Sequence, residues 1–431
     1  MKGFVRKLIA KHNPKNRGSS SGATTGTTAP APNEGYKGAP PAQENRMAAP
    51  QDQKIIATAA GTLQVALQNK TPSSNVFAYI TGLDLNNGNK PIFIQSDGRS
   101  VYSPTSPTQP GANLSADVAI SLGAPGNTVN VQIPKIAGGR IWFSIDARLT
   151  FLVNPGPAIV EPSVTNPSDP NFNISWTFCE FTYNDAQLFA NISYVDFVSV
   201  PVGIALTNAE GKSQSVPGMP ASGFNSVIEQ LRAQAQKDGR PWDKLIYEHN
   251  GKPLRALSPN NLLVGNANVW GNYWDGYVDA VWNRFSSQDI IINTQAAAGN
   301  LRGRIYNNML SLGEAGTFSR PNAADIFSCS TGPFATGSNQ ARNAVIPRLA
   351  AAFNRSTLLL GGDQFPNGHS PQDYYKDATT NHYARIVHQV QRDGRGYAFP
   401  YDDVVPDGGQ DVAGTVFDGS PRLFTVSVGG G

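Results

Sequence analysis

The chain has 431 residues with a formal net charge of +3, only 15% charged residues, 43 Gly and 32 Pro. This profile suits a turn-rich, strand-rich secreted-type protein better than a helical cytosolic one. The charge is uneven: residues 1–17 hold six Lys/Arg and no acid, and 18–54 balance three basic against three acidic residues. Residues 55–431 therefore carry about −3, which argues against a nucleic-acid partner.

Two cysteines, Cys179 and Cys329, make no disulfide framework and too few ligands for a structural zinc. One bridge and two free buried thiols both stay open. No run of 18 apolar residues exists, so stable membrane insertion is not expected. In FVRKLIAKH at the start, basic residues interrupt the apolar stretch, so it does not read as a signal peptide. A solvated arm is the simpler reading than a segment touching an anionic surface.

Residues 18–54 are Ser, Gly, Thr, Ala, Pro and Gln, too poor in large apolar groups to fold, and 1–54 reads as a disordered basic and low-complexity leader. Order begins near Ile55. GTLQVALQNKT (61–71) alternates apolar and polar residues as a half-buried strand does. Strands follow at NVFAYITGLDL (75–85), KPIFIQS (90–96), TVNVQIP (128–134) and RIWFSIDARLTFLV (140–153), separated by turn clusters spaced as in a sandwich or barrel. WTFCEFTYNDAQLFANISYVDFV (176–198) reads as a hairpin turning at Asn184-Asp185, and VPVGIAL (200–206) as another strand. After Asn208 the period changes. GFNSVIEQLRAQAQKDG (223–239) is a helix capped at Asn225 or Ser226 and stopped by Gly239, and NYWDGYVDAVWNRFSS (272–287) is another. A strand pair, QDIIINT and NLRGRIYN, comes next, then helical segments over 339–357 and 371–394, and a closing strand, SPRLFTVSVGG. The chain is mainly β with α/β parts: a β-sandwich or barrel domain over 55–207 with 396–431, and an inserted mixed α/β domain over 208–395. Two such lobes imply a cleft, where ligand sites concentrate.

The hairpin carries one acid in each half, Glu180 and Asp196. If its register pairs even with even residues, both lie on one face with Trp176, Thr182 and Tyr194, near Asn184. Two carboxylates among aromatics and hydroxyls are what glycoside hydrolysis requires, one protonated to assist the leaving oxygen and one ionised. Without further information, solvent-facing strand acids are the simpler reading. Asp402 and Asp403 form a second acidic pair, read most simply as a capped turn. His382 and His388 lie six apart, off metal-ligand spacing, and suit hydrogen bonding. Cys179 adjoins Glu180 and so points to the opposite side, into the core.

Several segments together resemble one family: NPGPAIVEPSVTNPSDPNFNISWTFCEFTYN, NISYVDFVSVPVGIAL, SRPNAADIFSCSTGPFA, RLAAAFNRSTLL, NHYARIVH and GYAFPYDDV. From about residue 60 onward the chain resembles the fungal branch of glycoside hydrolase family 64, the laminaripentaose-producing β-1,3-glucanases, with a fold related to thaumatin-like proteins. The resemblance implies a crescent-shaped molecule with a wide groove for β-1,3-glucan, and an inverting, metal-free and cofactor-free hydrolysis with Glu180 as general acid and Asp196 as general base. Inversion sets the two carboxyls roughly 6.5–9.5 Å apart. It also implies that Thr182 and Asn184 contact substrate and that Asp402 and Asp403 are a further acidic pair in the groove. Where bacterial members tend to carry Trp and Thr between the carboxylates, this chain has Phe189 and Ser193, so binding strength and product length are expected to differ. A non-catalytic thaumatin-like glucan binder is the alternative, and a capsid-like structural protein is disfavoured by the acidic body. A monomer is expected. The family points outside the cell or to the wall, while the start offers no visible export signal.

Overall fold

Residues 61–430 are described by the computed structural model, and the leader expected over 1–54 lies outside the described residues. The alternating segments form two facing sheets. The first has five strands in the order Ser213–Val216, Val202–Asn208, Pro421–Val428, Leu63–Asn69 and Thr128–Ile133. Its C-terminal strand runs parallel to Leu63–Asn69 and antiparallel to Val202–Asn208. The last residues of the chain thus sit between strands of its first half.

The second sheet runs Thr415–Asp418, Leu188–Ile192, Ser175–Tyr183, Ile136–Ile145, Val76–Asp84, Lys90–Ile94 and Val101–Tyr102, with Ile120–Ser121 pairing beside Val76–Asp84. Because side chains alternate across a strand, Cys179, Phe181, Ile141 and Phe143 point inward and join Val65, Leu67, Phe424 and Val426 in one buried cluster. The Phe181 and Phe424 rings lie 6.3 Å apart between the sheets. Packing here is close: a Cβ at Gly139 would stand 2.5 Å from the Phe181 ring, so only glycine fits opposite it. Both strand orders are open-ended, so the architecture is a sandwich and no barrel closes.

The opposite face of the larger sheet has its own apolar cover. Trp142, Trp176 and Phe178 are buried there beside Tyr79 and Phe93 of the same sheet, with Phe151 and Phe197 packed against them. Phe151 reaches this position because the strand expected over 140–153 breaks in two. Asp146 adopts a left-handed backbone with φ 64°, ending Ile136–Ile145. Leu152–Asn154 then pairs with Ala158–Val160 and Ala112–Asn113 in a separate small sheet.

The helices complete the core rather than forming one of their own. Gly223–Asp238 buries Val227, Ile228 and Leu231, and Gly239 ends it at φ 69°. It starts after Ser222, earlier than the caps expected at Asn225 or Ser226. Asp275–Ser287 buries Tyr277, Val281 and Phe285. Gln340–Asn354 is buried on all sides from Val345 to Asn354 and contains Pro347. The helical segment expected over 371–394 contracts to His382–Val390. Asp377 accepts from the Thr379 amide at 2.8 Å and Asn381 from the Ala384 amide at 3.1 Å. Such short polar side chains favour turns and caps over helix interior. Leu231, Val281, Phe353 and Ile386 belong to the same buried cluster as the sandwich interior.

Candidate active site

Glu180 lies where the apolar cover of the outer sheet face ends. Trp176 and Phe178 precede it on the same side of the strand and are buried, whereas Thr182 beyond it is half-buried. The neighbouring strand places Arg140 opposite Glu180. The Arg140 guanidinium stacks 4.9 Å above the Phe178 ring and 5.3 Å from Trp142. Its Nε and Nη2 donate to Glu180 Oε1 at 3.2 and 3.1 Å, and Nη1 donates to Glu161 Oε2 at 2.5 Å. Glu161 directly follows the short strand Ala158–Val160.

Asp196 arrives by a route other than the expected hairpin parity. The register pairs Glu180 with Asn191, an even residue with an odd one. Had the strand continued, Asp196 would face away from Glu180. Instead pairing with the Glu180 strand stops at Ile192, and Ser193 bridges to Tyr397. The Asp196 carbonyl accepts from the Ser258 amide at 2.9 Å and from Asn261 Nδ2 at 2.9 Å. Ser258 is itself the N-cap of the helix Pro259–Gly265. A helix start thus pins the Asp196 backbone.

The charges of Glu161, Glu180 and Asp196 all act on Arg140. Burial opposes the Arg140 charge, yet Glu180, Glu161 and Asp196 together hold its pKa above the usual value. Burial pushes Asp196 up, Arg140 pulls it down and Glu180 raises it further. Glu161 is likewise raised, chiefly by burial and against the pull of Arg140. Three carboxyls around one cation would carry a net −2 if all ionised. A poorly hydrated site resists that, in keeping with the raised pKa values of Asp196 and Glu161.

The remaining expected residues separate into groups. Thr182 Oγ1 accepts from the Gly138 amide at 3.3 Å, on the Glu180 side of the sheet. Phe189 pairs with Thr182 on one side and with Phe417 on the other, so the three share that face. Phe417 is 51% exposed. Ser193 is buried beside Tyr397. Asn184 uses its amide oxygen to close the hairpin turn, accepting from Ala186 and Gln187 amides at 2.9 Å each.

The second acidic pair splits. Asp403 accepts from the Tyr397 hydroxyl at 2.9 Å, and Tyr397 lies within reach of the Glu180 charge. Asp402 does not reach a groove. It is fully buried, accepting from Arg355 Nη2 at 2.9 Å, His388 Nε2 at 2.8 Å and the Ala398 amide at 2.9 Å. Two cations and a backbone amide compensate it in the interior, which corrects the expectation of a groove residue. His382, held by the Ala378 carbonyl at 3.0 Å and by Arg385, fits its expected hydrogen-bonding role. Cys179 and Cys329 are both free and buried. Among the described residues no His/Cys/Asp/Glu group suits a metal ion.

Arg140, Glu161, Tyr397 and Phe417 were not picked out in the sequence reading. Nothing local in the sequence around Arg140 or Glu161 marks a charge aimed at Glu180.

The family model for β-1,3-glucanases of glycoside hydrolase family 64 matches residues 61–428. The chain belongs to glycoside hydrolase family 64. Two curated relatives are glucan endo-1,3-β-glucosidases. That of Cellulosimicrobium cellulans is 30% identical over 313 residues, and that of Arthrobacter sp. (strain YCWD3) is 29% identical over 313 residues. Each alignment covers 70% of this chain and 54% of the relative, so the chain spans about half the length of these proteins. The crystal structure of a laminaripentaose-producing β-1,3-glucanase with laminaritetraose has a TM-score of 0.75 at 30% identity, covering 86% of this chain and 99% of that one. The family 64 domain from Clostridium beijerinckii, at 19% identity, shares the fold with a TM-score of 0.67 and covers 86% of this chain and 99% of its own. The relatives named by organism are bacterial, so a fungal placement gains no support from them.

Proposed function

We propose that this family 64 chain is an endo-acting β-1,3-glucan hydrolase that works with inversion, Glu180 donating a proton to the leaving oxygen and Asp196 activating water. The observation that carries the reading is the Arg140 guanidinium on the outer face of the sheet, which donates to Glu180 and whose charge also pulls on Asp196. Arg140 donates through Nε and Nη2 to Oε1 of Glu180, which fixes where that carboxyl points. Asp196, raised by burial and by Glu180, is a stronger base toward water than an ordinary aspartate once ionised. Laminaritetraose in the related structure supports β-1,3-linked glucose as the substrate.

Proton NMR of laminarin hydrolysis tests the reading. The first product should be the α-anomer, and a β-anomer would indicate retention. Glu180→Gln and Asp196→Asn should each lower turnover by about two to four orders of magnitude with the fold intact. Wild-type-like turnover in either variant refutes the pair.

A further inference from the structure

Asp196 sits in a bend between two anchored points of the chain. Before it, the Tyr194 amide donates to the Tyr397 carbonyl at 2.7 Å, and the Tyr194 carbonyl accepts from the Tyr383 hydroxyl at 2.6 Å. After it, Phe197 pairs with Leu257 and packs edge-on against Trp176, with ring centroids 4.7 Å apart. Val195 and Asp196 themselves lie outside any strand. Their hold comes through the Asp196 carbonyl, which accepts from the Ser258 amide and from Asn261 Nδ2, each at 2.9 Å. Two donors use both lone pairs of that oxygen. They fix the peptide plane that follows Asp196, and so one of the two soft dihedrals that aim its side chain.

Asn261 is itself firmly seated. It is the third residue of Pro259–Gly265, and its amide donates to the N-cap oxygen of Ser258 at 3.3 Å. The Trp270 indole donates to the Pro259 carbonyl at 3.2 Å. That indole is buried against Trp242 and Phe327, with centroids 4.6 and 4.9 Å away. An aromatic cluster among the helices therefore sets the helix start, and the helix start sets the backbone of the acid.

We propose that Asn261 is a positioning residue for the general base: its side-chain amide clamps the bend at Asp196 and holds the carboxyl at one place for its work on water. The inference rests on the hydrolase reading and deepens it. The Ser258 donor is a backbone group that side-chain replacement leaves in place, whereas the Asn261 donor is removed by one substitution. Burial raises the pKa of Asp196 most, Arg140 opposes it and Glu180 adds to it, while the Asn261 amide lowers it. The same amide thus favours the ionised form that a base requires.

The test is a double-mutant cycle on laminarin at 20 °C with Asn261→Leu, which is close in size and has no donor, in the wild type and in Asp196→Asn. In the wild type, Asn261→Leu should lower kcat about tenfold to hundredfold, the cost of a misplaced group, with KM within about twofold. In the Asp196→Asn background the same substitution should change kcat by less than about twofold, because residues that act as a unit are not additive. An equal fall in both backgrounds would show that Asn261 acts elsewhere and overturn the proposal. So would an unchanged kcat, or a fall matched by the loss of folded protein in circular dichroism. An inactive wild type, or Asp196→Asn with full turnover, would refute the hydrolase reading and take this inference with it. An active wild type that depends on Asp196 but shows additive losses refutes this inference alone.

Discussion

Replacing Asp402 by Asn tests whether this acid serves the glucan or the fold. Its carboxylate is fully buried, and it compensates Arg355 and His388, whose side chains are 2% and 14% exposed. The His388 ring faces an acceptor on both sides, the Gly394 carbonyl at 2.9 Å and Asp402 at 2.8 Å. Both its nitrogens therefore donate, and the ring is an imidazolium. In the variant, the amide keeps an acceptor toward Arg355, but its NH2 faces His388 and the Ala398 amide, which already donates to that oxygen. His388 can relax by losing a proton and accepting from the new amide. Arg355 and the Ala398 amide cannot relax in this way. Removing one partner of such a buried pair costs about 3–5 kcal/mol. Unfolding entropy of about 2.1 cal/mol/K per residue, taken over the unit 60–431, makes that roughly 4–6 °C in melting temperature. Calorimetry and laminarin kinetics at 20 °C should show a lowered Tm with KM within about twofold of wild type. An unchanged Tm with a severalfold higher KM would return Asp402 to the groove and refute the burial argument.

The roles of the catalytic pair separate with a substrate that needs no acid. On a dinitrophenyl laminarioligoside, Glu180→Gln should keep turnover within about tenfold of wild type, while Asp196→Asn should lose two to four orders of magnitude; the reverse pattern would exchange the two roles. Phe417 shares a face with Phe189 and is 51% exposed. Covering about 50 Å² of its ring is worth roughly 1 kcal/mol, so Phe417→Ala should raise KM for long glucans about fivefold and leave short oligosaccharides unaffected, with equal effects on both arguing against a stacking surface. His388 gives a sign that can be checked against pH. Burial alone would depress its pKa, but Asp402 and the Gly394 carbonyl raise it above the ordinary 6.5. Its stabilising contribution is therefore full below about 6.5 and disappears as pH rises through the folded value. The Tm penalty of His388→Gln should accordingly be larger at pH 5.5 than at pH 9, and a penalty that grows with pH would contradict a buried imidazolium.

The elements of the β region were legible because their pattern is local. Alternation in GTLQVALQNKT and TVNVQIP reports one buried face whatever the partner strand, and the strands appear at Leu63–Asn69 and Thr128–Ile133. What failed depended on a single turn residue or cap. Asp146 at φ 64° divides one apolar run between two sheets, and no periodicity signals that. The shortened helix near residue 382 has the same cause, since Asp377 and Asn381 can hold a turn or cap as readily as occupy a helix.

The site shows a different limit. Glu180 and Asp196 were recognised as a pair on a parity argument, yet the register places Glu180 opposite Asn191, which by parity alone would divide them. What frees Asp196 from that parity is that the chain leaves the sheet after Ile192 and a helix N-cap at Ser258 holds the Asp196 carbonyl. The motif resemblance names the same pair without appeal to strand parity, because a motif includes the departure from the strand without explaining it. The same resemblance treated Asp402 and Asp403 alike. Adjacent residues in an irregular turn diverge, and here one side chain goes to Arg355 and His388 while the next receives Tyr397. Whether an acid is functional or structural is decided by where its compensating cations lie. For Asp402 they are in the interior, supplied by residues 47 and 14 positions away in sequence. For Glu180 the cation stands on the adjacent strand at the edge of the apolar cover, 40 positions away. Neither separation leaves a mark in the local sequence, and the two environments distinguish carboxylates that look alike on the page.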